Sequence, residues 1–119
     1  MRPEDRDVAY VWDMLEAARA AVSFTEGSSF EAFRCDARTM RAVERELEII
    51  GEAARRISRE FREAAPQIPW RELVGLRNII SHEYDRLDSQ RIFAISTRFL
   101  VELTVLLEQL APAPPKDVD

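Results

Sequence analysis

The stretch DARTMRAVERELEIIGEAARRISREFREA, residues 36–64, carries the longest unbroken hydrophobic period in the chain. Its apolar residues recur at alternating spacings of three and four, which places them on one face of an α-helix. The other positions are mostly charged, so this single face is the one expected to be buried. We predict one long amphipathic helix with a heptad-like seam, formed by Met40, Val43, Leu47, Ile50, Ala54, Ile57 and Phe61.

Gly51 lies inside this predicted helix. A glycine in a helix interior costs about 1 kcal/mol relative to alanine, so its presence needs a physical reason. A neighbouring backbone that approaches too closely for a Cβ atom would supply one. We therefore expect another element to cross the helix near Gly51.

Three other segments have the same helical periodicity. The first covers residues 3–24, and the third covers residues 70–82, after the stretch PQIPW has ended the second. Asp88 or Ser89 is expected to cap the fourth. The predicted seams are Val8, Val11, Leu15, Ala18 and Val22 in the first helix, Trp70, Leu73, Val74, Arg77, Ile80 and Ser81 in the third, and Ile92, Ile95, Phe99, Leu103, Leu106 and Leu110 in the fourth.

Four amphipathic helices joined by short links predict an all-α, antiparallel, up-and-down four-helix bundle. The bundle forms one domain over residues 1–111, and the proline-rich, charged residues 112–119 form a disordered tail. Ser29 is expected to cap a short helical turn that contains Phe30 and Phe33. The second and fourth seams are long enough to leave apolar surface for a second subunit, so we expect a two-fold homodimer.

Composition and charge narrow the classes of function. The net charge of −5 argues against broad, non-specific nucleic-acid binding, which needs a basic surface. Cys35 is the only cysteine, which excludes an internal disulfide and a cysteine-based zinc site. No apolar run approaches membrane-spanning length, and the amino terminus is too charged for a signal peptide. We expect a cytoplasmic protein with no membrane partner.

The stretch LRNIISHEYD, residues 76–85, contains the only histidine, His82. Histidine can move protons near neutral pH, and Arg77 can hold a phosphate oxygen and stabilise developing charge. Cleavage of RNA by its own 2′-OH needs a base and then an acid, which two copies of His82 across a two-fold axis would supply. On this stretch alone a structural interpretation is simpler: His82 at a helix end, Tyr84 as a loop anchor and Arg77 paired with a nearby acid.

The segment R-N-I-I-S-H-E-Y resembles the R-x4-H-x-Y motif of HepT-like toxins, a branch of the HEPN superfamily. The resemblance extends beyond the motif. The stretch RAVERELEIIGEAARRIS, the PQIPW turn and the run GLRNIISHEYD occur in the order and spacing typical of that family. The resemblance as a whole covers roughly residues 5–110, which favours a catalytic interpretation of the motif over the structural one.

The resemblance implies the toxin of a type II (HEPN/MNT-type) toxin–antitoxin system. Such toxins are dimeric, metal-independent endoribonucleases that need no cofactor and bind RNA as substrate. Arg77 and His82 match the catalytic pair, His82 as acid and base, and Asn78 matches the polar residue after the motif arginine. The partner is a minimal nucleotidyltransferase antitoxin, which silences the toxin by transferring AMP to Tyr84. The alternative is a catalytically inactive helical module that serves as partner subunit of a nucleotidyltransferase.

Two further sets of residues are candidates for supporting roles. Glu46 and Glu52 of the second helix are candidates to orient Arg77 or His82. A stripe of arginines on the same segment offers an RNA track, although a solvated face with intrahelical ion pairs is the simpler interpretation. The stripe consists of Arg34, Arg38, Arg41 and Arg45.

Overall fold

The computed structural model describes residues 3–80 and 86–111, which are all-α. Within these ranges there is no strand, and no helix is both long and apolar enough to cross a lipid bilayer. A π-helical turn, Ile95–Phe99, joins the last two helices into one continuous rod. The helices are α1 Pro3–Thr25, α2 Phe30–Arg34, α3 Ala37–Arg56, α4 Arg59–Ala64, α5 Trp70–Val74, α6 Leu76–Ile80, α7 Arg86–Ala94 and α8 Leu100–Leu110.

These elements form the predicted antiparallel bundle. The end of α3 meets the start of α1, where Ser58 donates to the Asp7 carboxylate through its backbone N–H (2.8 Å) and its hydroxyl (2.7 Å). The end of α1 meets the middle of the α7–α8 rod, where Thr25 contacts Ser96, and the earlier Arg19 of α1 pairs with Glu108 near the end of the rod at 2.9 Å. Both neighbours of α1 therefore run antiparallel to it. The shared core includes Val11, Met14, Leu15, Ala18, Val43, Leu47, Ile50, Leu73, Leu76, Ile92, Leu100, Leu103 and Leu107.

The predicted helix over residues 36–64 is broken once, and that prediction was wrong in this respect. α3 ends at Arg56, Ile57 is extended (φ −67°, ψ 139°), and Ser58 starts α4 by accepting the backbone N–H of Phe61 at 3.2 Å. Arg62 then donates to two carbonyls at the end of α3, those of Ile57 and Arg55. Ser58 is a favourable N-cap, and Asp7 holds it in place, so local capping overrides the continuous apolar pattern.

The third and fourth predicted helices also differ from the structure. The third consists of two short helices, α5 and α6, separated at Gly75, and its predicted last residues, Ser81 and His82, lie outside the described residues. The fourth begins at Arg86, so the prediction that Asp88 or Ser89 caps it was wrong. The predicted cap at Ser29 is confirmed, because its hydroxyl accepts the Ala32 N–H at 3.1 Å.

The π-helical turn changes which residues of the fourth helix are buried. A π turn holds one more residue than an α turn, so the face that meets the core shifts by one position after it. Ser96 is fully buried, and its hydroxyl donates to the Ala21 carbonyl at 2.9 Å. Of the predicted seam only Ile92 and Leu103 are fully buried, whereas the remaining four members are partly exposed.

Candidate functional site

The site begins with the close approach that Gly51 allows. A Cβ atom at Gly51 would lie 3.2 Å from the Leu73 carbonyl oxygen and 3.5 Å from Cγ of Arg77. α3 therefore packs directly against the junction of α5 and α6, as the sequence led us to expect. Leu73 and Leu76 bury their side chains on either side of this junction. Because α5 and α6 are only five residues each, this contact determines where Arg77 lies.

Glu52, the residue after Gly51, faces the Arg77 guanidinium. Its Oε2 lies 3.6 Å from Nη1 of Arg77, and the Arg77 side chain remains 59% exposed. Arg55 donates to both oxygens of the same carboxylate, and Arg56 donates to Oε1 at 3.2 Å. Hydrogen bonds from Arg55 and then Arg56 hold the pKa of Glu52 at about 2, despite opposing desolvation. One carboxylate thus lies among three arginines, and Arg77 shares it with Arg55 and Arg56.

The second acidic candidate, Glu46, does not reach Arg77. Six positions along an α-helix correspond to a rotation of about 240°, so Glu46 and Glu52 point in different directions from α3. Burial raises the pKa of Glu46, and the charge of Arg45 opposes that rise. No hydrogen bond or ion pair joins Glu46 to Arg77 within the described part of the chain.

Only part of the motif lies within the described residues. Arg77 and Asn78 are both exposed on α6, and the Asn78 backbone N–H donates to the Gly75 carbonyl at 3.0 Å. His82 and Tyr84 fall in residues 81–85, outside those described. The described portion of the site is therefore an exposed arginine, a neighbouring exposed amide and a carboxylate that faces the arginine.

Known proteins resemble this chain over most of its length. The model of the HepT-like family, described as ribonuclease HepT-like, matches residues 14–110. The chain belongs to the HepT-like ribonuclease family. It is 46% identical over 84 residues to a Methanocaldococcus jannaschii protein whose name gives it as a candidate RNase, covering 70% of this chain and 77% of that one. No solved structure gives a significant match.

Two further relatives extend the match within the HepT-like family. A Thermococcus cleftensis protein named "Probable ribonuclease HepT" is 43% identical over 79 residues, which cover 66% of this chain and 72% of that one. A candidate RNase of Caldanaerobacter subterraneus subsp. tengcongensis is 33% identical over 101 residues, covering 85% of this chain and 90% of the relative. The similarity to HepT-like proteins therefore spans most of the bundle rather than the motif alone.

The arginine stripe predicted for this HepT-like chain does not form one continuous surface. Arg34 belongs to α2, where it pairs with Glu31 at 2.8 Å, and α3 begins only after the Asp36 cap. Arg41 pairs with Glu44 at 3.0 Å. These pairs agree with the simpler interpretation, a solvated face with local ion pairs.

One surface of this HepT-like bundle was not predicted from the sequence. A groove of about 640 Å³ lies between the α5–α6 segment and the α7–α8 rod, and we call it the α6–π groove. Its apolar residues include Ile79, Ile95 and Phe99. Because α5, α6, the π turn and both parts of the rod contribute to it, no single periodic pattern could have indicated it. The sequence placed Ile95 and Phe99 in a predicted seam but gave no sign that both would remain partly exposed.

Proposed function

We propose that this HepT-like protein is an endoribonuclease that cleaves RNA through the substrate's own 2′-OH. The observation that carries the proposal is the exposed Arg77 guanidinium, held beside Glu52 on the helix that leads into the motif, in a chain that matches the family over residues 14–110. In this reaction the 2′ oxygen forms a new bond to phosphorus while the bond to the 5′ oxygen breaks. The products carry a 2′,3′-cyclic phosphate and a free 5′-OH.

The proposed roles follow from the chemistry of each side chain. Arg77 binds the scissile phosphate and stabilises the negative charge that grows on its oxygens. One copy of His82 takes the proton from the 2′-OH as base, and the second copy in the dimer, as imidazolium, supplies a proton to the departing 5′ oxygen. Asn78 donates a hydrogen bond to the same phosphate. No step of this mechanism calls for a metal ion or a cofactor.

Glu52 is proposed as a positioning residue for Arg77. Its distance of 3.6 Å exceeds that of a strong charge-assisted hydrogen bond, and the pair is solvent-exposed. Two other arginines also share the carboxylate. The pull of Glu52 on Arg77 is therefore weak enough for an RNA phosphate to compete with it. We assign no such role to Glu46.

We propose that the active species is a homodimer, because each chain supplies a single histidine while the reaction needs a base and an acid. This makes the site incomplete in one subunit. A mixing experiment separates the possibilities. In an equal mixture of wild type and His82→Ala, after subunit exchange, about a quarter of the dimers retain both histidines. A cleavage rate near one quarter of that of the same total amount of wild type supports a site that needs both histidines of the dimer. A rate near one half contradicts it.

We further propose that the protein is the toxin of a type II toxin–antitoxin pair and that a minimal nucleotidyltransferase silences it. The Tyr84 oxygen would attack the α-phosphate of ATP, forming a phosphodiester to AMP and releasing pyrophosphate, with the phenolic proton passing to solvent. The added group carries a negative charge near Arg77 in sequence, so it would compete with and repel the RNA phosphate. Co-expression with the nucleotidyltransferase should add the mass of AMP to the wild type and none to Tyr84→Phe.

The central test incubates purified, unmodified protein with single-stranded RNA in the presence of a chelator. We expect cleavage with 2′,3′-cyclic phosphate ends, and loss of cleavage in His82→Ala without a change in the helical circular dichroism spectrum. RNA that stays intact across the pH range, with a nucleotidyltransferase still bound, would instead support the inactive partner subunit. Loss of activity on chelation would overturn the metal-independent mechanism.

A further inference from the structure

The α6–π groove combines an apolar floor with three arginines that pair with no acidic side chain of residues 3–80 and 86–111. Leu76 and Ile79 from α6 and Ile95 and Phe99 from the π turn contribute the apolar part. All but Leu76 are partly exposed, so the floor is open to a ligand. An open apolar surface of this size beside charged groups is typical of a binding site rather than of incompletely buried core residues.

Three arginines converge on this groove: Arg71 from α5, Arg91 from α7 and Arg98 from the π turn. None of the three makes an ion pair or a hydrogen bond with another described side chain. Elsewhere in the described chain six arginines are paired with glutamates, whereas Arg38 and Arg45 of α3 form no such pair. The six are Arg19, Arg34, Arg41, Arg55, Arg56 and Arg59. Arginines left unpaired at one place indicate an anionic ligand.

The groove also contains two glutamates, Glu72 and Glu102. They reduce its net charge to +1, in a chain whose net charge is −5. A simple phosphate or another small anion would leave the apolar floor of the groove without a partner. A ligand that carries several phosphates and also an apolar, stackable surface fits the combination better, because each part of the groove then has a partner.

The π turn is the reason that these groups meet. One residue of an α-helix corresponds to a rotation of about 100°, so the extra residue in the turn reorients the residues that follow it. Ser96 is turned into the core against Thr25, while Ile95, Arg98 and Phe99 face the groove. π turns within α-helices occur frequently at functional sites because they redirect side chains in this way.

We propose that the α6–π groove binds single-stranded RNA beside the cleavage site, with Arg71, Arg91 and Arg98 on its phosphates and a base on the apolar floor. The proposal rests on the ribonuclease function proposed above and adds a substrate-binding surface to it. α6 connects the two, since Leu76 and Ile79 face the groove while Arg77 faces Glu52. A helix is about 10–12 Å across with its side chains, so a strand leaving the groove crosses α6 to bring a neighbouring phosphate to Arg77.

The binding test uses the full chain and a fluorescent single-stranded 2′-O-methyl oligonucleotide, which lacks the attacking hydroxyl and cannot be cleaved. The variant Arg71→Gln/Arg91→Gln/Arg98→Gln should bind about tenfold or more weakly, and the slope of log affinity against log salt should fall by about 2. Glu102→Gln should bind more tightly than wild type. The charge-matched control, Arg34→Gln/Arg38→Gln/Arg45→Gln, should retain most of the affinity.

A cleavage test then separates this proposal from the ribonuclease function itself. A dinucleotide offers only the phosphate to be cleaved, so the rate ratio of long RNA to dinucleotide should fall about tenfold in the groove variant. One outcome is that the groove variant keeps the wild-type affinity for the oligonucleotide and the wild-type ratio of cleavage rates while the wild type cleaves long RNA. That result would overturn RNA binding in the groove and leave the proposed ribonuclease function standing. If the wild type instead binds RNA through the groove arginines but cleaves no RNA, the groove proposal stands and the proposed ribonuclease function is overturned.

The other possible occupant of the groove is a second copy of the chain. Light scattering after size-exclusion chromatography should give the groove variant the same mass as wild type. A groove variant that changes its oligomeric state as it loses RNA affinity would identify the groove as a subunit interface and overturn the proposal. The proposal would also be overturned if the charge-matched control lost RNA affinity while the groove variant kept it.

Discussion

The α1–α3 pair and the α5–α6 segment are stabilised in different ways. α1 and α3 have 23 and 20 residues, share most of the core and are joined at a corner where the buried Asp7 carboxylate receives two hydrogen bonds from Ser58. α5 and α6 have five residues each, and α5 begins at Pro69 without a side-chain cap. Helices this short are not stable alone, so the second region depends on the first.

This difference shows how the fold supplies an exposed site. Arg77 needs solvent on one side to meet a substrate, so its helix cannot be surrounded by core. The Gly51 contact resolves this conflict, because it lets a short helix rest on a long one at backbone distance while Arg77 stays more than half exposed. Stability and site geometry should therefore respond to different substitutions.

The largest expected effect is on the α1–α3 pair. Leu47 is fully buried in its core, and Leu47→Ala should lower the free energy of unfolding by about 2–5 kcal/mol through lost contacts and a cavity. Chemical denaturation measures this change. The control Val105→Ala removes an exposed side chain and should change it by less than about 0.5 kcal/mol. If Leu47→Ala also lowers the cleavage rate per folded molecule, then the core of the α1–α3 pair and the geometry of the site do not respond independently.

The contact between the two regions is tested by Gly51→Ala. The new Cβ meets the Leu73 carbonyl at 3.2 Å, so α5 and α6 must shift by a few tenths of an ångström. Crowding costs about 1–3 kcal/mol, and the gain of about 1 kcal/mol in helix propensity partly offsets it. We expect little loss of stability but about a tenfold loss of cleavage rate, since a displacement of the substrate-binding group is costly to catalysis.

A double variant serves as the control for Gly51. If Gly51 acts through Arg77, then Gly51→Ala combined with Arg77→Ala should cleave no more slowly than Arg77→Ala alone, because the group that would be displaced is already absent. Additive losses in the double variant would show that Gly51 acts through some other part of the site.

Much of the α1–α3 pair could be predicted from the sequence, because a seam such as Val43, Leu47, Ile50 and Ala54 specifies both helix and buried face. The break at Ser58 was not predicted. It depends on Asp7, fifty-one residues away, and no local pattern reveals a cap completed by a distant carboxylate. The π turn was missed for a similar reason, since the buried partner that favours it, Thr25, belongs to α1.

The candidate site divides in the same manner. Gly51 was predictable as a close approach because glycine in a helix interior is unfavourable unless something needs the space. Glu52 was one of two acidic candidates, and only the helix rotation separates it from Glu46. The roles of Arg77, Asn78, His82 and Tyr84 remain predictions from the motif. The α6–π groove joins residues that share no period, so it required the structure.

The corner that closes the α1–α3 pair should have a moderate effect. Asp7→Ala removes both carboxylate oxygens that accept the Ser58 backbone N–H and hydroxyl, so both of these hydrogen bonds are lost. We expect a loss of about 1 kcal/mol or somewhat more in the free energy of unfolding. Ser58→Ala should cost a similar amount through the α4 cap. A double variant whose loss equals the sum of both would show that the two residues are not coupled.

The smallest effect concerns pH and the Glu52 carboxylate between the two regions. Its pKa is lowered to about 2 by hydrogen bonds from Arg55 and Arg56, so its stabilising contribution is present above the ordinary glutamate pKa. That contribution decreases as the pH falls below the ordinary glutamate pKa of 4.5 and is lost as the pH passes through about 2. Carbon-detected NMR of the Glu52 carboxyl should therefore show no titration near pH 4.5. In Arg55→Gln/Arg56→Gln the midpoint should move up towards the ordinary value, and an unchanged midpoint would leave Arg77 as the dominant partner of Glu52.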